Sequence, residues 1–126
     1  MASRYTIQMN FDQAKRQAET LENVARNLTN MANGDYNTSL QTLGNNWTGD
    51  NATKYLTKAG QLKSNILKSA SDLNKTASAI RTIAKNIYDA EMENLRREEE
   101  AAARARAAAE EAARAAAAAA AARSRE

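Results

Sequence analysis

The sequence contains no cysteine, no proline and no histidine, and each absence narrows what the protein can be. Without cysteine there are no disulfides and no thiolate chemistry, and without histidine the commonest catalytic base is missing. The absence of proline over 126 residues favours long uninterrupted helices, because proline clashes with a helix and removes a donor. One tryptophan, one phenylalanine and four tyrosines are few for a large globular core, so we expect one domain with thin helix–helix contacts.

Strong charge of one sign and long hydrophobic runs are also missing. The net charge is +3, and residues 101–126 contribute five arginines against three glutamates, with the two signs interspersed. This pattern predicts no nucleic-acid partner. The alanine tract 115–122 is too weakly hydrophobic for a membrane span, and the N-terminus has no apolar stretch typical of a signal peptide. We therefore expect no integral membrane segment and, if the protein is exported, no ordinary cleaved signal.

The first half of the chain has the pattern of one amphipathic helix, predicted over about residues 10–43. Asn10 is a suitable N-cap, and Gln13 follows it at the spacing of a capping box. Small and apolar residues then recur in steps of three and four, at Ala14, Ala18, Leu21, Ala25, Leu28, Ala32, Tyr36, Leu40 and Leu43. Asn33-Gly34-Asp35 indicates either a weak point in a continuous helix, which we favour because the stripe is kept, or a break.

Residues 44–51 give the strongest loop signal, with two glycines, three asparagines and an aspartate. A second helix is predicted over about residues 52–95, with Thr48 or Asp50 as its cap. Its apolar stripe is Tyr55, Ala59, Leu62, Ile66, Ala70, Leu73, Ala77, Ile80, Ala84 and Ile87. Residues 96–126 are an alanine, arginine and glutamate tail, either a helical extension or a low-complexity segment.

Two helices of similar length joined by a short loop predict an all-α fold, an antiparallel two-helix hairpin over residues 1–95. A hairpin alone cannot hide two apolar stripes, so a second hairpin is expected, giving a dimeric four-helix bundle with an alanine-rich helical extension. The residues expected at the dimer seam are Leu21, Leu28, Leu40, Leu43, Leu62, Ile66, Leu73, Ile80 and Ile87.

No set of residues suggests catalysis. No serine lies in a nucleophile-elbow pattern, and no glycine-rich phosphate loop is present. The acidic cluster Glu98-Glu99-Glu100 is flanked by arginines and is typical of a solvated helix surface rather than a metal site. We expect a protein that is not an enzyme and holds no cofactor or metal.

The most specific pattern is Trp47-Thr48-Gly49, in the loop between the two long helices. It is accompanied by the lead-in Ile7–Phe11, by Asn46–Ala52 with Tyr55 soon after, and by the closing segment Ala84–Glu91. With these features, residues 5–95 resemble the WXG family of type VII secretion proteins, the early-secreted-antigen-like proteins. The resemblance implies a four-helix homo- or heterodimer, made in the bacterial cytoplasm and secreted without a cleaved signal.

The resemblance also implies site residues and partners. Trp47 and Gly49 would be the secretion motif of the loop, and Trp47 either takes part in recognition or only packs the end of the bundle. Family export signals often have a tyrosine followed four positions later by an acidic residue. Here that position after Tyr88 is Met92, flanked by Glu91 and Glu93. The signal is therefore either degenerate or supplied by a partner.

The implied partners are a second copy, a second WXG-type chain or a toxin chain that this one escorts, and the secretion ATPase. We thus expect a small non-enzymatic substrate or export adaptor of a type VII secretion system. The alternative is an intracellular coiled-coil scaffold. A nucleic-acid or membrane-surface role for the tail is disfavoured by its alternating glutamates and arginines.

Overall fold

A computed structural model describes residues 3–125, and nearly all of them are helical. The elements are α1 (Arg4–Met31), a π-helical turn (Ala32–Tyr36), α2 (Asn37–Asn46) and α3 (Asp50–Ser124). No strand occurs in this described range, so the predicted all-α class is confirmed. The chain forms two compact units, a core unit (Met9–Asn86) and a terminal unit (Met1–Gln8 with Ile87–Glu126), and each is described by itself.

Helix α1 begins at Arg4, so the predicted start near Asn10 was wrong. Ser3 is the N-cap, because its side-chain oxygen accepts the Thr6 amide at 3.1 Å and its carbonyl accepts the Ile7 amide at 2.9 Å. These bonds satisfy donors that a helix start otherwise leaves free. Ile7, predicted to lie in a lead-in, is instead helical and buried.

The helix is distorted at Gly34 but does not end in a loop there. Residues Ala32–Tyr36 form a π-helical turn, in which Gly34 has φ −96° and ψ −106°, outside helical values. Asn37 then donates its amide to the Gly34 carbonyl, and α2 starts. The favoured prediction of a continuous helix is therefore corrected to a kinked one, since the wider turn takes up the extra residue in the stripe.

The loop between the long helices is shorter than the predicted 44–51. Helix α2 continues to Asn46, whose side-chain amide donates to the Thr42 carbonyl at 2.7 Å and so satisfies an acceptor of the last turn. Helix α3 begins at Asp50, and the carbonyl of the preceding residue, Gly49, accepts the Thr53 amide at 3.0 Å. Gly49 thus occupies the N-cap position that was predicted for Thr48 or Asp50.

Helix α3 is a single helix that passes through the predicted boundary at residue 95 and ends at Ser124. Ion pairs at helical spacing stabilise it there: Arg96 and Arg97 bind Glu93, and Arg96 also binds Glu100. The tail beyond is helical, as one of the two predictions for it expected, and alanine has the highest helix propensity. No helix within residues 3–125 is apolar over a length that would cross a bilayer.

Alanines, rather than leucines or isoleucines, supply the buried side chains of the core unit. Those spaced seven residues apart, on α1 with the start of the π-helical turn and on α3, form what we call the alanine rows: Ala18, Ala25, Ala32, Ala70, Ala77 and Ala84. A seven-residue repeat keeps one face of a helix toward its neighbour. Small side chains at that face let two helix axes approach closely.

Polar contacts define how the segments of the core unit are paired. Arg81 binds Glu22, the Tyr36 hydroxyl donates to the Ala59 carbonyl at 2.8 Å, and Lys63 Nζ donates to Asn37 Oδ1 at 2.8 Å. Glu22 pairs with position 81, whereas Tyr36 and Asn37, further along the chain, pair with the lower positions 59 and 63. The two segments therefore run in opposite chain directions. Counting three residues along each segment from the Glu22–Arg81 pair places Ala25 opposite position 78, next to Ala77, so the two alanine rows lie at the same level.

Candidate functional site

The turn that carries Trp47 joins α2 to α3. Trp47 ends α2 in an extended conformation, with φ −135° and ψ 122°, and its side chain remains 38% exposed. Its ring lies against Tyr55, with centroids 5.6 Å apart and planes tilted by 55°. Such an edge-tilted aromatic pair is favourable and leaves part of each ring accessible. The sequence identified both residues but not the contact, which depends on the turn geometry.

Gly49 completes the turn through its backbone. It has φ +112°, and it is the only residue of the described range 3–125 with a positive φ. An L side chain is disfavoured in this conformation, although a Cβ at Gly49 would meet no atom within 4 Å. The Gly49 carbonyl also accepts the Thr53 hydroxyl at 3.1 Å. The glycine of the Trp47-Thr48-Gly49 pattern is therefore needed to bring the chain from the tryptophan into α3.

We expect Gly49→Ala to destabilise the core unit by about 1–2 kcal/mol, the usual cost of forcing an L residue into a left-handed conformation. Gly60→Ala is the matched control, because its Cβ also meets nothing within 4 Å but lies inside α3. It should be neutral or stabilising by up to about 1 kcal/mol. Urea unfolding followed by circular dichroism measures both. Equal stabilities for the two variants would contradict a backbone role for Gly49.

A second surface of the core unit follows from the alanine rows. Glu22 lies four residues after Ala18, and Arg81 lies four residues after Ala77. Because Glu22 and Arg81 bind each other, the positions four residues after a row alanine meet at one edge of the paired helices. The positions three residues after a row alanine, such as Leu21 and Ile80, must then share the opposite edge. We call that side the apolar edge: Leu21, Val24, Leu28, Met31, Leu73, Ile80 and Ile83.

The apolar edge is incompletely covered within one chain. Val24 and Met31 are 43% and 46% exposed, and Ile83 is 58% exposed. The other four residues are half-buried. An amphipathic pair of helices thus presents apolar side chains along one side and the Glu22–Arg81 ion pair on the other. A continuous apolar strip of this kind is typical of a protein interface.

The predicted dimer seam coincides with the apolar edge only in part. Leu21, Leu28, Leu73 and Ile80 belong to it. Ile66 and Ile87 keep the same side of α3, seven residues before Leu73 and seven after Ile80, with Ile87 in the terminal unit. Leu40 and Leu43 are half-buried on α2, and Leu62 is exposed. Sequence reasoning missed Val24, Met31 and Ile83. A signal was available, because Leu21, Val24, Leu28 and Met31 form a second stripe in steps of three and four beside the alanines.

The residues considered for an export signal lie on α3 in the terminal unit. Tyr88 is half-buried, and Glu91, three residues later, falls on the same side of the helix. Glu93 falls on a different side and is held by arginines: Arg96 Nε donates to Glu93 Oε2 at 2.9 Å, and Arg97 Nε donates to Glu93 Oε1 at 3.2 Å. Of the two acidic candidates, Glu91 therefore shares a side with Tyr88, and Glu93 belongs to an ion-pair cluster.

That cluster also changes the ionisation of its members. The hydrogen bond from Arg96 is the main cause that lowers the pKa of Glu93 to about 2, and the same bond raises the pKa of Arg96. In the same unit, Arg4 Nη2 lies 3.2 Å from Glu99 Oε1. These pairs are well exposed, and exposed pairs contribute little to stability. The cluster supports helical structure and gives no sign of chemistry.

Comparison with known proteins adds no relative: no protein-family model, no curated protein and no solved structure matches this chain. Residues 3–125 also contain no group of three or more acidic, histidine or cysteine side chains placed to hold a metal ion. The candidate sites are therefore two surfaces of the core unit, the Trp47 turn and the apolar edge.

Proposed function

We propose that this protein is a small non-enzymatic substrate or export adaptor of a bacterial type VII secretion system, and that it works as a dimer of helical hairpins. The observation that carries the proposal is the turn Trp47-Thr48-Gly49, which joins α2 to α3 with Gly49 at a positive φ and Trp47 partly exposed. The turn, with the helices on either side of it, is where the sequence resembles the WXG family.

The Trp47 turn has the properties of a recognition element. A large, rigid aromatic side chain that is partly exposed and held in place by a neighbour can bind a partner with little loss of conformational freedom. The contact with Tyr55 restrains the Trp47 ring. Under this proposal the ring is an anchor for the secretion ATPase, alone or with a segment of the partner chain.

The core unit leaves large apolar side chains exposed, and this favours association with a second chain. Its fully covered side chains are mostly alanine methyl groups, and each methyl contributes only about 0.8 kcal/mol on burial. The larger side chains of the apolar edge are left partly in water. A second hairpin laid on the apolar edge would cover them and make the four-helix bundle. The second chain is a copy of this one or another chain of the same type.

Substitution of Trp47 by Ala tests the recognition role. In a bacterium with a type VII system, we expect export to the medium to fall by about tenfold or more, the effect of truncating an aromatic anchor. The dimer mass should be unchanged, because the Trp47 ring is not on the apolar edge. Immunoblots of medium and cells, with and without the secretion ATPase, measure export.

Trp47→Phe and Tyr55→Ala are the controls for this experiment. Phenylalanine keeps a ring at position 47, and Tyr55→Ala removes the packing partner but leaves the tryptophan. If Trp47→Ala instead lowers export only as far as it lowers dimer stability, the ring has a packing role alone. Export that does not depend on the ATPase would contradict the secretion proposal as a whole.

A scaffold role is the second proposal, and the length of α3 favours it. One helix runs from Asp50 to Ser124, and every residue from 101 to 124 is exposed. Long helices are the elements from which coiled coils are built. The two proposals differ in location, since a scaffold would stay with the cells in the same export assay.

A further inference from the structure

The two long segments of the core unit differ strongly in charge. Residues 9–36 hold three basic and four acidic side chains, whereas residues 51–86 hold seven basic side chains and a single acidic one, Asp72. On the first segment the two signs alternate, and Lys15 Nζ lies 3.5 Å from Asp12 Oδ1. The positive charge of the core unit is therefore concentrated on α3.

Four of the seven basic side chains lie on the side of α3 that faces away from the alanine rows. Lys68 and Lys75 each come two residues before a row alanine, a position almost directly opposite the row. Lys54 precedes Lys68 by two seven-residue repeats, and Lys58 follows Lys54 by one helical turn. All four are exposed, and none has an ion-pair or hydrogen-bond partner among residues 3–125. We call this surface the lysine face.

The rest of the lysine face is almost entirely neutral and polar. Gln61 and Asn65 lie on it between the lysines, and Asp72 is its one acidic residue. At the rise of an α-helix, Lys54 and Lys75 are about 31 Å apart along the axis of α3. A row of unpaired positive charges of this length sets up a positive potential that attracts an anionic surface.

The geometry points to an electrostatic docking surface for the headgroups of an anionic lipid bilayer. A bilayer is flat over the length of the lysine face, and its headgroups move laterally, so an anionic headgroup can collect at each lysine whatever the spacing. A lysine is a compact point charge that suits such mobile partners. The planar fork of arginine is better suited to a single phosphate in fixed geometry, and the lysine face contains no arginine.

A nucleic acid fits the lysine face less well. Single strands are usually held by aromatic side chains on which bases stack. Tyr55, the aromatic residue next to Lys54 in sequence, packs against Trp47 instead. The phosphates of a duplex wind around its axis, so a row of lysines along one side of a helix meets only a few of them. The charge pattern therefore favours the bilayer.

This inference does not depend on the secretion proposal, since it concerns only the purified full chain and lipid. Co-sedimentation with vesicles of equal parts phosphatidylcholine and phosphatidylglycerol measures binding. We expect the chain to bind these vesicles, to ignore pure phosphatidylcholine, and to bind less as salt is raised. Replacing the four lysines by glutamine should weaken binding by about 100-fold or more, because each lysine near an anionic surface contributes about fivefold.

A matched control removes the same charge from the exposed tail of α3. It combines Arg104→Gln, Arg106→Gln, Arg114→Gln and Arg123→Gln. Its binding should fall by no more than about fivefold, the contribution of one basic side chain. Circular dichroism checks that both variants remain helical. An equal loss in both variants, no binding to the anionic vesicles, or tighter binding to a DNA duplex than to the vesicles at the same salt would overturn the proposal.

A fluorescent label shows which side of the core unit meets the lipid. Because the chain has no cysteine, Gln61→Cys places the label on the lysine face. Asn30→Cys places it on α1, two residues before Ala32, on the outward side of that helix. Both positions are exposed. Spin-labelled lipid headgroups should quench the label at position 61 and leave the label at position 30 unquenched. Equal quenching at the two positions would refute a defined docking face.

Discussion

Replacing Ala77 with Leu is expected to destabilise the core unit more than any other single change considered. Ala77 is completely buried, in the middle of the alanine row on α3 and level with Ala25. A leucine adds three carbon atoms where helices are in close contact, and overpacking of this kind costs about 1–3 kcal/mol. The urea midpoint should therefore fall. Circular dichroism during urea unfolding measures it.

Ala105→Leu is the control for this prediction. Ala105 lies four heptads after Ala77 on the same helix, so it has the same phase in the seven-residue repeat, but it is exposed. Leucine and alanine have similar helix propensity, so the substitution at 105 should leave the unfolding midpoint unchanged. If both leucines lowered the midpoint equally, the alanine rows would not be the packing surface of the core unit.

The helical class and the steps of three and four were predictable because both follow from local chemistry. The absence of proline, the spacing of apolar residues and the glycine-rich turn all act within a few residues of each other. Which row faces the other helix was not predictable in this way. Ala25 and Leu28 lie on one broad stripe, and the complete burial of Ala25 together with the pairing of Glu22 with Arg81 shows which side of the stripe lies between the helices.

The ends of the helices were predicted less well, because several residues could act as caps. Ser3 and Asn10 are both good N-caps, and the choice falls to Ser3, whose oxygen and carbonyl bind Thr6 and Ile7. At the other long helix, the cap position belongs to Gly49 through its backbone, although side-chain preferences favour Thr48 or Asp50. A cap depends on where the chain turns, and a sequence pattern indicates that only to within a few residues.

The candidate site was predictable in its residues and not in its contacts. Trp47 and Gly49 stand out because a lone tryptophan and a glycine lie in the clearest turn of the sequence. Tyr55 contacts Trp47 because the turn is shorter than predicted and α3 already starts at Asp50. Val24 and Ile83 were missed for a related reason, since their importance lies in what remains exposed after the alanine rows have packed.

The second large effect is expected at the apolar edge, from Ile83→Glu. Ile83 is 58% exposed in the single chain, so a glutamate there should change the stability of that chain by no more than about 0.5 kcal/mol. In a dimer that covers the apolar edge, the same carboxylate would be buried without a partner. The dimer dissociation constant should then rise by about 100-fold or more, because an unpaired buried charge costs several kcal/mol.

Sedimentation velocity over a series of protein concentrations measures this change, and Thr82→Glu is the control. Thr82 is also β-branched and exposed on α3, but it lies two residues before Ala84 and so faces almost directly away from the alanine rows. A glutamate there stays in water in either state. If Ile83→Glu and Thr82→Glu dissociate the dimer alike, the effect is general repulsion. If neither does, the two hairpins meet elsewhere. Selective loss of the dimer with Ile83→Glu would identify the apolar edge as the surface that the second chain covers.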